Sequence, residues 1–187
     1  MSLVQFDPEM YYFINLIQRR KDIPGLSRPE KKVDTFYVHT AEKFEKVWPH
    51  IVEKCESTGA RAYINLNRRS WERTHLNMLK LIADNLSAGQ LTSGPGLWDR
   101  AAGISSAQKP KLWVLDCDRE HAEHLDTICD IVISIKNGQV IGRVPTLNGT
   151  HLITHGFDTR SLRAQLTAHG IAPIEVHDDG PTLLYCP

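Results

Sequence analysis

The sequence predicts an α+β chain built of two adjoining α/β layers that face each other across a cleft. Three observations carry that expectation. The first half alternates strand-like and helix-like periodicity in the order β-α-β-α. The second half changes to β-α-β-β-(β)-α-β. Between them, residues 87–110 are rich in Gly, Ser and Pro, and a connection that long inside a compact domain is uncommon. The expected organisation is one domain over 1–187, with an N-terminal α/β sub-layer 1–100 and a second sub-layer 101–187.

The elements follow in order. Residues 8–20 are apolar-rich and suit either a short helix or a strand. The stretch "KDIPGLSRPEKK" carries Pro24, Gly25 and Pro29 and predicts a loop. "TFYVH" predicts a strand over 35–39, and Thr40 is placed to cap a helix over 41–57. There Phe44, Val47, Trp48, Ile51 and Val52 recur at helical spacing and Gly59 follows the end. "ARAYINLN" alternates and predicts a strand over 60–67. From Ser70 to Leu86 the pattern is helical again, through Trp71, Leu76, Leu79, Ile82 and Leu86. A short helix is expected near 97–103.

In the second half, "KLWVLD" predicts a strand and "REHAEHLDTI" (119–128) a helix with Asp118 at its N-cap position. "IVISI" (131–135) and "QVIGRV" (139–144) flank Asn137-Gly138, a strong hairpin signal. A second Asn-Gly, Asn148-Gly149, precedes "THLIT" (150–154), so a three-strand meander is expected. "TRSLRAQLTAHG" (159–170) is an amphipathic helix closed by Gly170, and "IEVH" and "TLLYC" supply final strands. This order predicts an RRM-like or ferredoxin-like layer, β-α-β-β-α-β, for 101–187.

Composition narrows the function classes. The chain has 187 residues, 41% hydrophobic and 24% charged, which is enough for a packed core and excludes a disordered chain. Formal net charge is zero. That argues against a protein whose whole surface grips nucleic acid, but not against a local basic groove. The four cysteines, Cys55, Cys117, Cys129 and Cys186, are isolated and form no CxxC pair. A structural zinc site is therefore not expected, and a reduced, cytoplasmic setting is. The N-terminus lacks a convincing signal-peptide pattern, and no apolar stretch approaches membrane-spanning length, so no membrane partner is expected. Walker A, GxGxxG and GxSxG motifs are absent.

The chemistry-bearing residues begin in "KLWVLDCDRE". Asp116 and Asp118 point the same way from an extended chain, because strand side chains alternate with period two. Two like charges on one face repel unless a cation neutralises them. A hard divalent ion, Mg²⁺ or Mn²⁺, is the natural occupant, with phosphates on its other side. The plainer alternative is that Asp118 caps the next helix and Asp116 forms a salt bridge at a strand end. His151 follows 33 residues after Asp118, on a strand the order above brings into the same sheet. Asn148, Gly149 and Thr150 offer backbone N–H groups to a phosphate, and Arg143 on the preceding strand offers a guanidinium. Arg68, Arg69 and Arg73 cluster at a strand-to-helix junction, where anions are favoured; a solvated turn is the alternative. The basic run Gln18–Lys21 and Lys31-Lys32 suit a nucleic-acid backbone or a solvated surface. His121 and His124 suit exposed helix positions, and Trp98 in the long connection suits stacking on a base.

Asp116-Cys117-Asp118 ending a strand, followed by Asn148-Gly149-Thr150-His151, resembles the catalytic core of the archaeo-eukaryotic primase superfamily of primases and primase-polymerases. The chain also resembles small proteins carried by phages and prophages. The resemblance spans roughly 35–187 and implies a primase-like fold. It implies Asp116 and Asp118 as ligands of Mg²⁺ or Mn²⁺ and His151 as a contact to the phosphates of an incoming nucleotide. It also implies a later carboxylate on another strand. Asp178 and Asp179 stand 27 and 28 residues after His151, although "DDGP" is also an ordinary turn and Asp158 equally suits a helix cap. The implied activity is metal-dependent nucleotidyl transfer or nucleotide and nucleic-acid binding, with a nucleoside triphosphate or nucleic acid as partner. Two alternatives use the same residues: a catalytically inactive nucleic-acid-binding or interaction module, and a metal-dependent phosphodiesterase or nuclease.

Overall fold

Tyr12, Ile14 and Leu16 recur at every second residue and bury one face of β1 (Met10–Arg19). Period two is strand geometry, so the segment that suited either a helix or a strand is a strand. The computed structural model describes residues 3–90, 96–104 and 109–187. Among them, β1 pairs antiparallel with β2 (Glu30–Val38) and with β3 (Arg61–Asn65). A two-residue β4 (Arg69–Ser70) pairs with the start of β1. Beyond β3 the sheet is completed by β9 (Pro181–Tyr185), from the far end of the chain. The two layers are therefore not sequential halves divided near residue 100, because the last strand returns to the first sheet.

Helix α1 (Ala41–Thr58) starts at Thr40, whose hydroxyl accepts the Lys43 N–H at 3.0 Å, and ends at Gly59 with φ 66°. Left-handed backbone there favours glycine. Val47, Ile51 and Cys55 bury on the same core as Tyr12, Ile14 and Leu16. Helix α2 (Trp71–Ser87), capped by Ser70, and α3 (Leu97–Ile104) follow. The expected core pattern of α2 is not realised: Leu76, Leu79 and Leu86 are exposed and Thr74 is its buried residue. Residues 91–95 and 105–108 of the expected long connection lie outside the described residues.

The second sheet has the order β6-β7-β5-β8, all antiparallel. It is built from β5 (Leu112–Asp118), β6 (Val140–Pro145), β7 (Gly149–His155) and β8 (Glu175–His177). A 3₁₀ turn (Arg119–His124) and α4 (Leu125–Ser134) connect β5 to β6, and α5 (Thr159–Ala168) leads from β7 toward β8. The expected strand 131–135 is the end of α4. Ile128, Ile131, Val132 and Ile135 lie at helical spacing and bury together, so burial of one helix face overrides their β-branched preference. Asn137-Gly138, with Asn137 at φ 66°, is then a helix-to-strand turn rather than a hairpin. The expected three-strand meander is the single hairpin β6–β7.

Strand β5 alternates between two cores. Leu115 and Cys117 pack with Leu152 and with Ile128, Val132, Leu162 and Leu166 of α4 and α5. Val114 points the other way and joins the core of the first sheet with Ile153. The fold is thus mixed α+β, with two antiparallel sheets and helices. The uncovered end of the face carrying Val114 is where the first sheet's edge and the second sheet leave a polar cleft. No helix among the described residues is long and apolar enough to cross a membrane.

Candidate functional site

Asp116 and Asp118 both line this cleft, whose volume is about 170 Å³. They follow Val114 at period two, so the packing of Val114 fixes the direction of both carboxylates. Asp118 occupies the N-cap position of the 3₁₀ turn but makes no side-chain cap bond, and it is exposed. Its carboxylate is left available to the cleft. Directly across the ladder, Gly149 faces Asp118. A Cβ on Gly149 would sit 2.0 Å from the Cys117 carbonyl oxygen, so the close approach of β7 to the acidic end of β5 requires glycine.

His151 lies opposite Asp116 in register. Its Nε2 is 3.4 Å from Asp116 Oδ1 and its Nδ1 is 2.9 Å from the hydroxyl of Thr182 on β9. A carboxylate only accepts, so these partners assign the proton of the neutral ring to Nε2 and make Nδ1 the acceptor of the Thr182 hydroxyl. Thr182 is buried. The chain Asp116–His151–Thr182 thus ties the two sheets together. The His151 bond holds the Asp116 carboxyl below its ordinary pKa against the opposing effect of burial, with smaller help from His177 and Arg19. Asp116 is therefore ionised through the neutral range. Between the two acids, Cys117 points into the other core, where burial pushes its thiol up to about 12; it is not a nucleophile.

The opposite wall comes from the first sheet. Arg19, Lys21 and Arg61 line it with Tyr63 and Leu183. Arg61 pairs with Asp22; Arg19 donates to the Tyr63 hydroxyl at 3.3 Å and lies 3.7 Å from Glu30. Lys21 is exposed and has no ion-pair partner among the described residues. The β6–β7 turn, Thr146 to Asn148, closes one side.

Several expected site residues lie elsewhere. Arg68 and Arg69 do not line the cleft. Arg68 donates to the Gln5 carbonyl at 2.9 Å. Arg69 is buried, 2.5 Å from Asp179, with bonds to the carbonyls of Ala102 and Asn67 and its guanidinium 5.5 Å over the Phe13 ring. Asn65 and Asn67 belong to the same network. Arg143 sits opposite Leu152, so it points to the helix-covered side, where it donates to Asp126 at 2.6 Å. Thr150 stands opposite Cys117 and shares that face, whereas Asn148 reaches the cleft. Asp178 is exposed in the turn before β9, 3.9 Å from Lys111 and outside the cleft lining. His121, expected on an exposed helix face, is buried with Nε2 3.3 Å from the Ala172 carbonyl. Trp98 packs against Tyr37 and Trp71, away from the cleft.

The carboxylate that the fold does bring beside Asp116 is Glu175. It is the register partner of Asp116 on β8, and directly opposed residues share a face with Cβ atoms about 5 Å apart. Glu175 is exposed, 3.6 Å from His177. Among the described residues no three His, Cys, Asp or Glu groups converge into a ready-made metal cage. The acidic pair nevertheless fits an ion such as Mg²⁺, which is commonly held by one or two carboxylates plus water and substrate phosphates.

Arg61 and Tyr63 carried a usable sequence signal, since they alternate in "ARAYINLN" and so share a face. Glu175 and Thr182 carried none, because strand pairing across such distances is not written locally. Comparison with protein-family models, with curated proteins and with solved structures finds no match.

Proposed function

We propose that the cleft binds a phosphate-bearing nucleotide together with Mg²⁺ or Mn²⁺, and that its strongest activity is primase-like nucleotidyl transfer. The observation that carries this is the polarity of the cleft: Asp116 and Asp118 on one wall, Arg19, Lys21 and Arg61 on the other. A metal–phosphate pair is complementary to both walls at once. The RRM-like reading of the second layer is supported by its order β5-α4-β6-β7-α5-β8 and its sheet order β6-β7-β5-β8.

Asp116 and Asp118 would hold the metal, which supplies Lewis-acid polarisation of a phosphoryl oxygen. The chain's own residues do the rest. His151, fixed by Thr182, keeps Asp116 ionised and oriented. Lys21, which lines the cleft without an ion-pair partner among the described residues, offsets the charge of a polyphosphate, which grows in importance where water is excluded. In the reaction a 3′-hydroxyl displaces pyrophosphate at the α-phosphate. His151 has both ring nitrogens engaged, so its role here is to position Asp116 rather than to contact phosphate. A cytoplasmic setting accords with the unpaired thiols of Cys55, Cys117, Cys129 and Cys186.

Asp116→Asn should abolish Mn²⁺-dependent incorporation of labelled nucleotide on a primed template. Undiminished incorporation by that variant would sink the assignment. A non-catalytic binding module is favoured by one observation, the absence of a three-ligand metal group among the described residues. The same assay separates the two: extension supports the enzyme, retained nucleotide binding without extension supports the module, and strand cleavage would indicate a phosphodiesterase.

A further inference from the structure

Helix α2 is apolar on two sides and covers only one of them. Trp71, Thr74, Met78, Leu81 and Ile82 are buried or half-buried. On that helix packs α3, with the Trp98 ring 5.8 Å from Trp71 and the Asn77 amide donating to the Ala101 carbonyl at 3.4 Å. The other side carries Leu76, Leu79, Ala83 and Leu86, all exposed, the three leucines by 58, 61 and 53%. Of the seven exposed large apolar side chains among the described residues, these three and Ile104 at the end of α3 belong to this one pair of helices. Single exposed leucines are ordinary, but such a concentration marks an interaction surface.

The spacing narrows what fits there. Positions 76, 79, 83 and 86 step by three, four and three, the a/d repeat of a left-handed coiled coil. At 3.6 residues per turn they fall within an arc of about 80°, on the side away from Thr74. A stripe that narrow is a seam for one helix, not the wider face that a helix turns to a globular core.

We infer that α2 docks against α2 of a second copy of this chain, antiparallel, about a two-fold axis between Leu79 and Ala83. Leu76 then faces the second copy's Leu86, and Leu79 faces the second copy's Ala83, so a large side chain meets a small one beside the axis. Glu72 stands four residues before Leu76 and prolongs the stripe. A parallel pair would set the two Glu72 carboxylates against each other. The antiparallel pair places each beyond the partner helix, which ends at Ser87. The chain itself supplies no cover: the adjoining residues outside the described ones, 91–95 and 105–108, read LTSGP and SSAQ, with Leu91 their one large apolar side chain. A membrane surface is disfavoured because α2 balances Glu72 and Asp84 against Arg73 and Lys80, whereas interfacial helices are rich in Lys and Arg. The 17 residues of α2 make a helix about 25 Å long. Two facing seams of that length bury well under the roughly 1,600 Å² of a standard interface, so the dimer is reversible, not obligate. None of these residues lines the cleft, and the inference stands apart from the nucleotide reading.

The test is sedimentation velocity of the full chain from about 1 to 500 μM, the range over which micromolar association is read. The weight-average mass should rise toward twice that of the monomer. Leu79→Glu buries an unpaired charge at the axis and should weaken association at least about tenfold, with the far-UV circular dichroism and the urea midpoint unchanged because Leu79 is exposed in the single chain. A control Ile133→Glu, at an exposed position on α4, should leave association as it is. Leu76→Lys and Leu86→Glu should each be monomeric alone and associate when mixed, since the antiparallel pair brings the two introduced charges together. A wild-type chain monomeric at every concentration, a dimer that survives Leu79→Glu, no association on mixing, or binding of the monomer to phosphatidylserine vesicles through the same leucines would each overturn the proposal.

Discussion

Two basic regions look alike as sequence and behave differently in the fold. Arg68 and Arg69 stand at a strand-to-helix junction, where anion binding is favoured, whereas Arg19 and Lys21 lie in a run that also suits plain solvation. In the folded chain Arg69 is enclosed by acceptors of its own molecule, Asp179, Ala102 and Asn67. Lys21 has none. The lesson is that a cation serves a ligand only where internal acceptors leave its donors open. Local sequence reports the cation but not the acceptor, which here arrives from 110 residues away.

The sharpest way to break that contrast is to remove one member of each region. Arg69→Ala strands Asp179 in a half-buried network and removes the contact over Phe13. Breaking a buried pair costs about 3–5 kcal/mol, read as a lower urea midpoint with unchanged slope. Lys21→Ala should stay within about 0.5 kcal/mol of wild type while weakening nucleotide binding in the cleft that it lines. If Lys21→Ala destabilises as much as Arg69→Ala, the division between a structural and a ligand-facing cluster is lost.

A second contrast concerns the two carboxylates that compete for the third place at the site. Glu175 shares a face with Asp116, whereas Asp178 sits in an exposed turn near Lys111. Glu175→Gln should weaken Mn²⁺ binding on the order of tenfold, the size expected of an outer partner that orients a ligand, as measured by paramagnetic resonance of free Mn²⁺. Asp178→Ala should leave it unchanged. The reverse ranking would restore Asp178 and remove Glu175.

Much of the fold was legible because local rules sufficed. Thr40, Ser70 and Asp158 cap the helices they precede, and the period-two placement of Asp116 and Asp118 holds. Asp118 does take the N-cap position that its residue type and place suit, but its side chain makes no cap bond. The strand reading of 131–135 failed where β-branched composition and helical burial disagreed. Arg143 suits the site by its place on the preceding strand, yet its register partner Leu152 puts it on the helix-covered side; the Thr150 side chain shares the face of Cys117, which leaves the expectation for its backbone N–H untouched. Thr182 and Glu175 come beside His151 and Asp116 through pairings between distant strands, which no local pattern encodes, whereas the alternation of Arg61 and Tyr63 is visible in the sequence.

The smallest effect lies in the acid limb of stability and tests the Asp116–His151–Thr182 chain itself. The folded-state pKa of Asp116 is lowered, chiefly by the His151 bond, while the unfolded value is near about 3.9. Between the two values the unfolded chain binds more protons, so stability rises with pH there. The contribution of Asp116 is fully present above about pH 4 and disappears as pH falls through the lower, folded value. Urea unfolding from neutral pH down through that window should therefore show wild type converging on Asp116→Asn as acid is added. His151→Gln should show a shallower limb, because the carboxyl has lost its principal partner. Thr182→Val should shift the limb less, since it removes only the bond that orients the ring. An acid limb identical in wild type and His151→Gln would mean that the histidine does not hold the Asp116 carboxylate, and the positioning role assigned to it would fail even if the cleft binds nucleotide.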